Sequence, residues 1–388
     1  AVELEHRADR AVGTDDLGVT LSLDAGRSTN LPTVHLGTAT TYTIPELNVT
    51  IHLGTGDLAA GTVIRAYTTA PQPDAAGIVA ALEMLATGPY GVAGWGSLHI
   101  AAVLSAADAA TVAAKLQSLF TDDAIDTRGL AAARDASPPT RFGGTGETDA
   151  TWGAAVVADY ANTTSPRLAV DAGYYNMRSA FPTSVCGTPF YRRPLSRAHA
   201  CRILVLPSRA DHEGWVRLGA LPQITVNDAT DPLDGFVYHD EQNGIVFDGL
   251  AGGTGRMGAA RRRRKKPGFY MTNPLSLAAV GSNYQLLPYC RVIDDAADVM
   301  RQVLTLDINA RLKVNANGTI TEKVAVQLEG DCYRALDSTM GGNYSGRTVV
   351  VDREWNIKNT GILKVNATIN GDAFALEIDV NLGLAQAA

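Results

Sequence analysis

Pro267-Gly268-Phe269-Tyr270-Met271-Thr272-Asn273-Pro274 is followed by Gly281-Ser282-Asn283-Tyr284 and then by Cys290-Arg291-Val292-Ile293-Asp294, which opens a long amphipathic helix. In that helix Val292, Ile293, Ala296, Ala297, Met300, Val303 and Leu304 recur at helical spacing. Asp294, Asp295, Asp298, Arg301 and Gln302 fall on the opposite, wet face. Thr319-Ile320-Thr321-Glu322 has the form of a capping box for a second helix with Val324, Leu328, Cys332 and Leu336 inward. Strands are expected at 349–351 and 362–369. Asn370-Gly371 then predicts a type I′ hairpin, because both central residues of that turn need positive φ. Across it Leu363, Val365, Ala367 and Ile369 would face a returning strand of Phe374, Leu376, Ile378 and Val380. The whole region reads as structural and carries no catalytic pattern.

Upstream, Arg261-Arg262-Arg263-Arg264-Lys265-Lys266 is the one charge run. Adjacent cations repel and cannot be buried unpaired, so residues 251–266 are expected to form a flexible, exposed basic loop. Residues 74–206 read as α/β. Asp74 is placed to cap a helix carrying Ile78, Leu82 and Leu85; Ser105 and Asp108 form a capping box before Val112, Leu116, Leu119 and Phe120. Strands are expected at 98–104, 168–170 and 202–206, and residues 129–150, rich in Ala, Pro, Gly and Thr, read as a surface loop. Before residue 70 the pattern is strands and turns, with Val19, Leu21 and Leu23 alternating with polar residues and further strands at 49–53 and 62–68.

Composition bounds what such a chain does. At 388 residues it is long enough for two or three domains, and 46% apolar with 19% charged residues is a globular balance. No stretch approaches the roughly 18 apolar residues of a membrane span, and the charged start, Glu3-Leu4-Glu5-His6-Arg7, is unlike a signal peptide, so synthesis is expected in the cytoplasm. A net charge of −7 argues against general nucleic-acid binding. Cys186, Cys201, Cys290 and Cys332 form no Cys-x-x-Cys pair and read as reduced, buried thiols. Asp211-His212-Glu213 with His239-Asp240, and His199 with Cys201, lack the rest of a metal ligand set and read as solvated loop polars. The adjacent carboxylates Asp294 and Asp295 read as surface residues. Gly143-Gly144-Thr145-Gly146 and Gly252-Gly253-Thr254-Gly255 lack the Gly-Lys-Ser/Thr ending of a phosphate loop, and no Gly-x-Ser-x-Gly elbow is present. No catalytic, cofactor-binding or metal-binding residue is therefore expected. An α/β enzyme remains an alternative, and it would need a pocket with convergent polar groups in 74–206.

Five ordered blocks carry a resemblance: Arg178-Ser179, Leu218-Gly219-Ala220-Leu221-Pro222, Pro267 through Asn273, Gly281-Ser282-Asn283-Tyr284, and Arg291-Val292-Ile293-Asp294. Over roughly residues 165–388, the loop 250–266 apart, the chain resembles the contractile tail sheath proteins of Mu-like and related bacteriophages and of phage-derived contractile injection systems. The resemblance implies an α+β, multidomain fold whose core is built from both chain ends, with variable outer domains inserted. The implied division is an N-terminal arm and core strand at 1–24, variable outer domains at 25–160, a central α/β part at 161–250, the basic loop at 251–266 and a C-terminal core with its strand arm at 267–388. It implies a non-enzymatic subunit of stacked hexameric rings around an inner tail tube protein, meeting baseplate and tail terminator proteins, in the virion tail or injection particle after cytoplasmic assembly. Terminal arms would exchange β-strands between neighbours, through Val19, Leu21 and Leu23 at one end and Phe374, Leu376, Ile378 and Val380 at the other. Arg261 to Lys266 would make an electrostatic contact. The alternative within the same machines, a tube or baseplate protein, would share strand-rich arms but lack the 267–294 block.

Overall fold

The computed structural model describes residues 2–6, 10–16, 18–22, 33–44, 49–54, 56–59, 63–66, 72–88, 96–135, 147–178, 190–221, 237–238, 247, 255–263 and 265–374. The described elements are α+β, and the chain divides into two compact units. One holds Ala1–Pro71 with Arg178–Tyr191, the other Gln72–Met177 with Arg192–Ala388.

The first unit is built from β1 (Val2–His6), β2 (Arg10–Val12), β3 (Gly18–Ser22), β4 (Val34–His35), β5 (Thr41–Ile44), β6 (Val49–His52), β7 (Gly56–Leu58) and β8 (Val63–Ala66). Its largest sheet has the order β4-β3-β1-β8. β3 runs antiparallel to β1 from Val19 to Ser22 and to β4 at Gly18 and Val19. Val19 and Leu21, expected in an exchanged arm, stand in β3 beside β1, with β4 reaching only Gly18 and Val19, while Leu23 lies outside the described residues.

The second unit begins with α1 (Ala75–Thr87), β9 (Ser97–Val103), α2 (Ala106–Thr121), β10 (Arg128–Ala132), α3 (Asp149–Asp159) and β11 (Leu168–Asp171). Both expected caps form: Asp74 accepts from the Gly77 amide, and Ser105 and Asp108 bond reciprocally. The three strands are parallel in the order β11-β10-β9, and the central one is buried at every residue, as a strand covered on both faces must be. Leu116, Leu119, Trp152, Val156 and Leu168 fill the core beside it. A side chain at Gly129 would meet Leu116 Cδ1 at 2.8 Å and Ile100 and Leu168 Cδ1 at 3.1 Å, so one there would displace these core side chains.

After β12 (Tyr174–Arg178) and β13 (Phe190–Pro194), the expected strand at 202–206 is instead the end of a helix, α4 (Leu195–Leu204). The short apolar run there does not discriminate between the two states. What holds the segment is Arg202, whose guanidinium donates to the carbonyls of Leu218, Gly219 and Ala220 at 3.1, 2.6 and 2.7 Å. It pins the Leu218-Gly219-Ala220-Leu221 turn, in which Gly219 takes φ +83.

β14 (Val237–Tyr238) pairs with β12, and the basic run departs from its expected form. Arg261 to Arg263 lie in β15 (Ala260–Arg263), antiparallel to β16 (Lys266–Met271), with Lys265 at φ +61 in the turn. Ladder bonds order the backbone while the side chains splay to alternate faces, and Arg262 stacks 5.2 Å from the Phe269 ring. The basic end of 251–266 is therefore a hairpin and not a loop; Arg264 lies outside the described residues.

The chain closes with α5 (Leu287–Thr305), α6 (Glu322–Met340), β17 (Gly346–Val351) and β18 (Val365–Asn370). Val292, Ala296 and Met300 of α5 pack with Cys332, Leu336 and Met340 of α6 over Val349 of β17. The capping box at 319–322 does not form: Thr321 is the cap residue without a side-chain bond, and the Glu322 carboxylate is held by Arg353. Nor is Asn370-Gly371 a type I′ turn, since neither residue has positive φ. Gly371 is needed for a different reason, because a Cβ there would sit 2.7 Å from the Tyr289 ring. The described partner of β18 is β17, and Leu376, Ile378 and Val380 lie outside the described residues.

Candidate functional site

Charged residues on α5 create the setting. The helical pattern places Asp294 on a wet face, yet it is only 4% exposed and bridges two buried arginines. Arg128 Nε and Arg167 Nη1 reach its carboxylate at 2.5 and 2.7 Å, and Arg128 Nη2 also donates to Cys290 O at 3.1 Å. One turn earlier Arg291 is equally buried. It pairs with Glu213 and donates to the Arg209 and Asp211 carbonyls at 2.8 and 2.7 Å. Burial pushes its guanidinium down to about 10. Half-buried Asp295 pairs with Arg209, and Arg301 with Asp126. Periodicity missed this because α5 is covered on two sides: its apolar stripe meets α6, and its charged stripe meets β10 and the 209–213 loop. The missed signal was the complementary set Arg128, Arg167 and Glu213, distant in sequence.

The other consequence of fixing α5 is a groove along β18. Register pairs Val349 with Ala367, Val351 with Val365 and Arg347 with Ile369. Val349 and Val351 send their amides away from β18, to the Tyr333 hydroxyl at 2.9 Å and Glu329 Oε1 at 2.8 Å. Antiparallel alternation then turns the amides and carbonyls of Val365, Ala367 and Ile369 outward on the opposite edge. No described residue bonds to them. Beside this edge lies a groove of about 450 Å³, with Asn283, Tyr284, Tyr289, Val292 and Ile293 on one wall and residues 367–371 on the other. The four strand residues 367–370 and Gly371 after them line it consecutively. A sheet face would contribute alternate ones, so the groove follows the strand edge.

Phe374 begins the segment that the sequence assigns to an exchanged strand. It is half-buried, with its ring centroid 5.3 Å from Tyr289 and 5.2 Å from His212. His212 Nδ1 accepts from the Gly214 amide at 2.9 Å. Burial, with Arg291 nearby, lowers its pKa to about 4. The expected solvated polars are thus structural: Glu213 is 1% exposed against Arg291, and His199 Nδ1 lies 2.8 Å from Asp171 Oδ2 with both side chains buried. His239 and Asp240 lie outside the described residues, as does Cys186; Cys290 and Cys332 are buried free thiols and Cys201 is half-buried. Among the described residues no helix is long and apolar enough to cross a membrane.

No family model matches the chain, and no curated protein matches it. Several solved structures are similar to it. One is the baseplate of the anti-feeding prophage, 11% identical over 84% of this chain and 77% of that one, with a TM-score of 0.49. Another is the helical sheath of the anti-feeding prophage in its contracted state, 11% identical over 82% and 76%, with a TM-score of 0.47. A third is a sheath tail protein from Listeria innocua, 12% identical over 96% of this chain and 73% of that one, with a TM-score of 0.47.

Proposed function

We propose that this chain is the structural subunit of a contractile tail sheath, polymerising as stacked hexameric rings around an inner tube and shortening to drive the tube through a target envelope. The observation that carries the reading is the outward edge of β18 beside its groove. Three residues there present backbone donors and acceptors with no described partner, next to apolar and aromatic side chains that would flank an added strand. The occupant in this reading is the segment after Phe374 of a neighbouring copy, whose Leu376, Ile378 and Val380 alternate with polar residues. The sequence blocks that carry the sheath resemblance build the surroundings of this edge: Tyr284 and Val292 line the groove, and Arg291 and Asp294 fix the helix behind it.

The role is mechanical and calls for no bond chemistry. Strand pairing would keep rings joined while subunits rotate and exchange their other contacts. Inner tube, baseplate and terminator proteins are the remaining partners of the reading, the virion tail or injection particle its location, and the cytoplasm its place of assembly. The hairpin bearing Arg261 to Lys266 is assigned an electrostatic contact with an acidic neighbour. Electron microscopy of the purified chain tests the proposal: helical tubes of six-fold rings are expected, whereas discrete small oligomers or smooth narrow tubes would overturn it.

A further inference from the structure

The two edges of the β17–β18 sheet are treated differently. Along the outer edge of β17, Tyr333 Oη accepts from the Val349 amide at 2.9 Å and donates to the Val349 carbonyl at 3.3 Å. Two residues on, Glu329 Oε1 accepts from the Val351 amide at 2.8 Å, and Arg353 Nη1 donates to the Val351 carbonyl at 3.0 Å. Every outward backbone group of these two residues is therefore met by a side chain. The side chains are themselves held. Arg353 bonds Glu329 at 2.7 and 3.1 Å and Glu322 at 2.6 and 3.0 Å, while Arg347 lies 4.9 Å over the Tyr333 ring and pairs with Asp337. Among the described residues, nothing gives the β18 edge comparable cover at Val365, Ala367 or Ile369.

We infer that Tyr333, Glu329 and Arg353 are an edge guard: they occupy the backbone groups of β17 so that the sheet takes a strand on β18 alone. A two-stranded sheet open on both sides could be extended in either direction by any copy of the same chain, which permits branching and wrong register. Closing one side leaves a single place for an added strand, so the guard sets the direction of assembly and not merely the stability of the sheet. This rests on β18 being the acceptor edge proposed above.

The test uses the full chain and three variants, Tyr333→Phe, Tyr333→Phe with Glu329→Ala, and Glu329→Gln, followed by residue-resolved hydrogen exchange before and after polymerisation and by electron microscopy. In the wild type the Val349 and Val351 amides are expected to be protected before assembly, and those of Val365, Ala367 and Ile369 only after it. Tyr333→Phe should speed Val349 exchange in the free chain by roughly two- to tenfold, the loss of one net hydrogen bond. The double variant should form laterally joined, irregular aggregates in which Val349 and Val351 regain protection. Glu329→Gln, which keeps an acceptor for Val351, should assemble as the wild type does. If the double variant folds, forms ordinary tubes and leaves Val349 and Val351 exchanging within them, the guard is refuted. A purely structural role would give that result with a lowered melting temperature. If wild-type assembly never protects β18, the acceptor reading fails instead; and if the wild type stays monomeric, the guard is still decided by whether the double variant gains association through β17.

Discussion

Asp294 shows how a side chain can be read wrongly from its neighbours in sequence and rightly from its neighbours in space. Two arginines, Arg128 and Arg167, share its carboxylate, and all three are about 4% exposed. Removing the charge leaves two buried cations without it, so Asp294→Asn is expected to cost about 3–5 kcal/mol, measured by denaturant unfolding. A milder effect follows from His212. Its pKa is held near 4 in the fold, below the ordinary 6.5, so the unfolded chain takes up a proton that the folded chain refuses. Its contribution is complete above the unfolded value and is lost as pH falls from 6.5 towards 4. The wild type should therefore lose stability over that window more steeply than His212→Gln, whose amide oxygen can still accept from Gly214. Asp126 works with the opposite sign, since burial raises it to about 6 despite Arg301. Asp126→Asn should make the acid loss steeper.

At the scale of elements, much was legible because the signals were local. The caps at Asp74 and Ser105 formed, the inward residues of α6 are Leu328, Cys332 and Leu336, and the strands at 168–170 and 349–351 exist. The failures were places where one local pattern serves two outcomes. Ile203-Leu204-Val205-Leu206 suits a strand or a helix end, and Arg202 decides it by reaching three carbonyls of a distant turn. Asn370-Gly371 suits a tight turn, yet its glycine is there for the Tyr289 ring. The open edge of β18 was not legible at all, because register, not composition, determines which amides face out. That register gives a test. Ala367→Pro removes an amide that β17 does not use, so the free chain should keep its fold and lose the ability to polymerise. Thr368→Pro removes a ladder bond on the inner side and should destabilise the sheet itself, seen as a lowered melting temperature.

For the whole molecule, the α+β class was visible in the sequence, whereas the grouping of residues 72–177 with the C-terminal region was not. That grouping depends on pairs such as Arg128 with Asp294, 166 positions apart, which no window of sequence reveals. Assembly is the property to test at this scale. A chain ending at Phe374, which keeps the described residues of the C-terminal core clusters, is expected to remain folded and soluble and to yield no tubes by electron microscopy; normal tubes from it would remove the exchanged strand from the mechanism. Reversing the charge of Arg261 to Lys266 should weaken attachment to an acidic partner chiefly at low salt, measured by co-sedimentation across a salt series.

The contact of Phe374 with Tyr289 and His212 bears on how load enters the protein. Tension on the chain end beyond residue 374 meets these rings before it reaches the ladder of β18. In the proposed sheath they would act as a strain relief, in the way a cable is gripped where it enters its housing: a tug too weak to pull the ring out would leave the hydrogen-bonded strands behind it undisturbed.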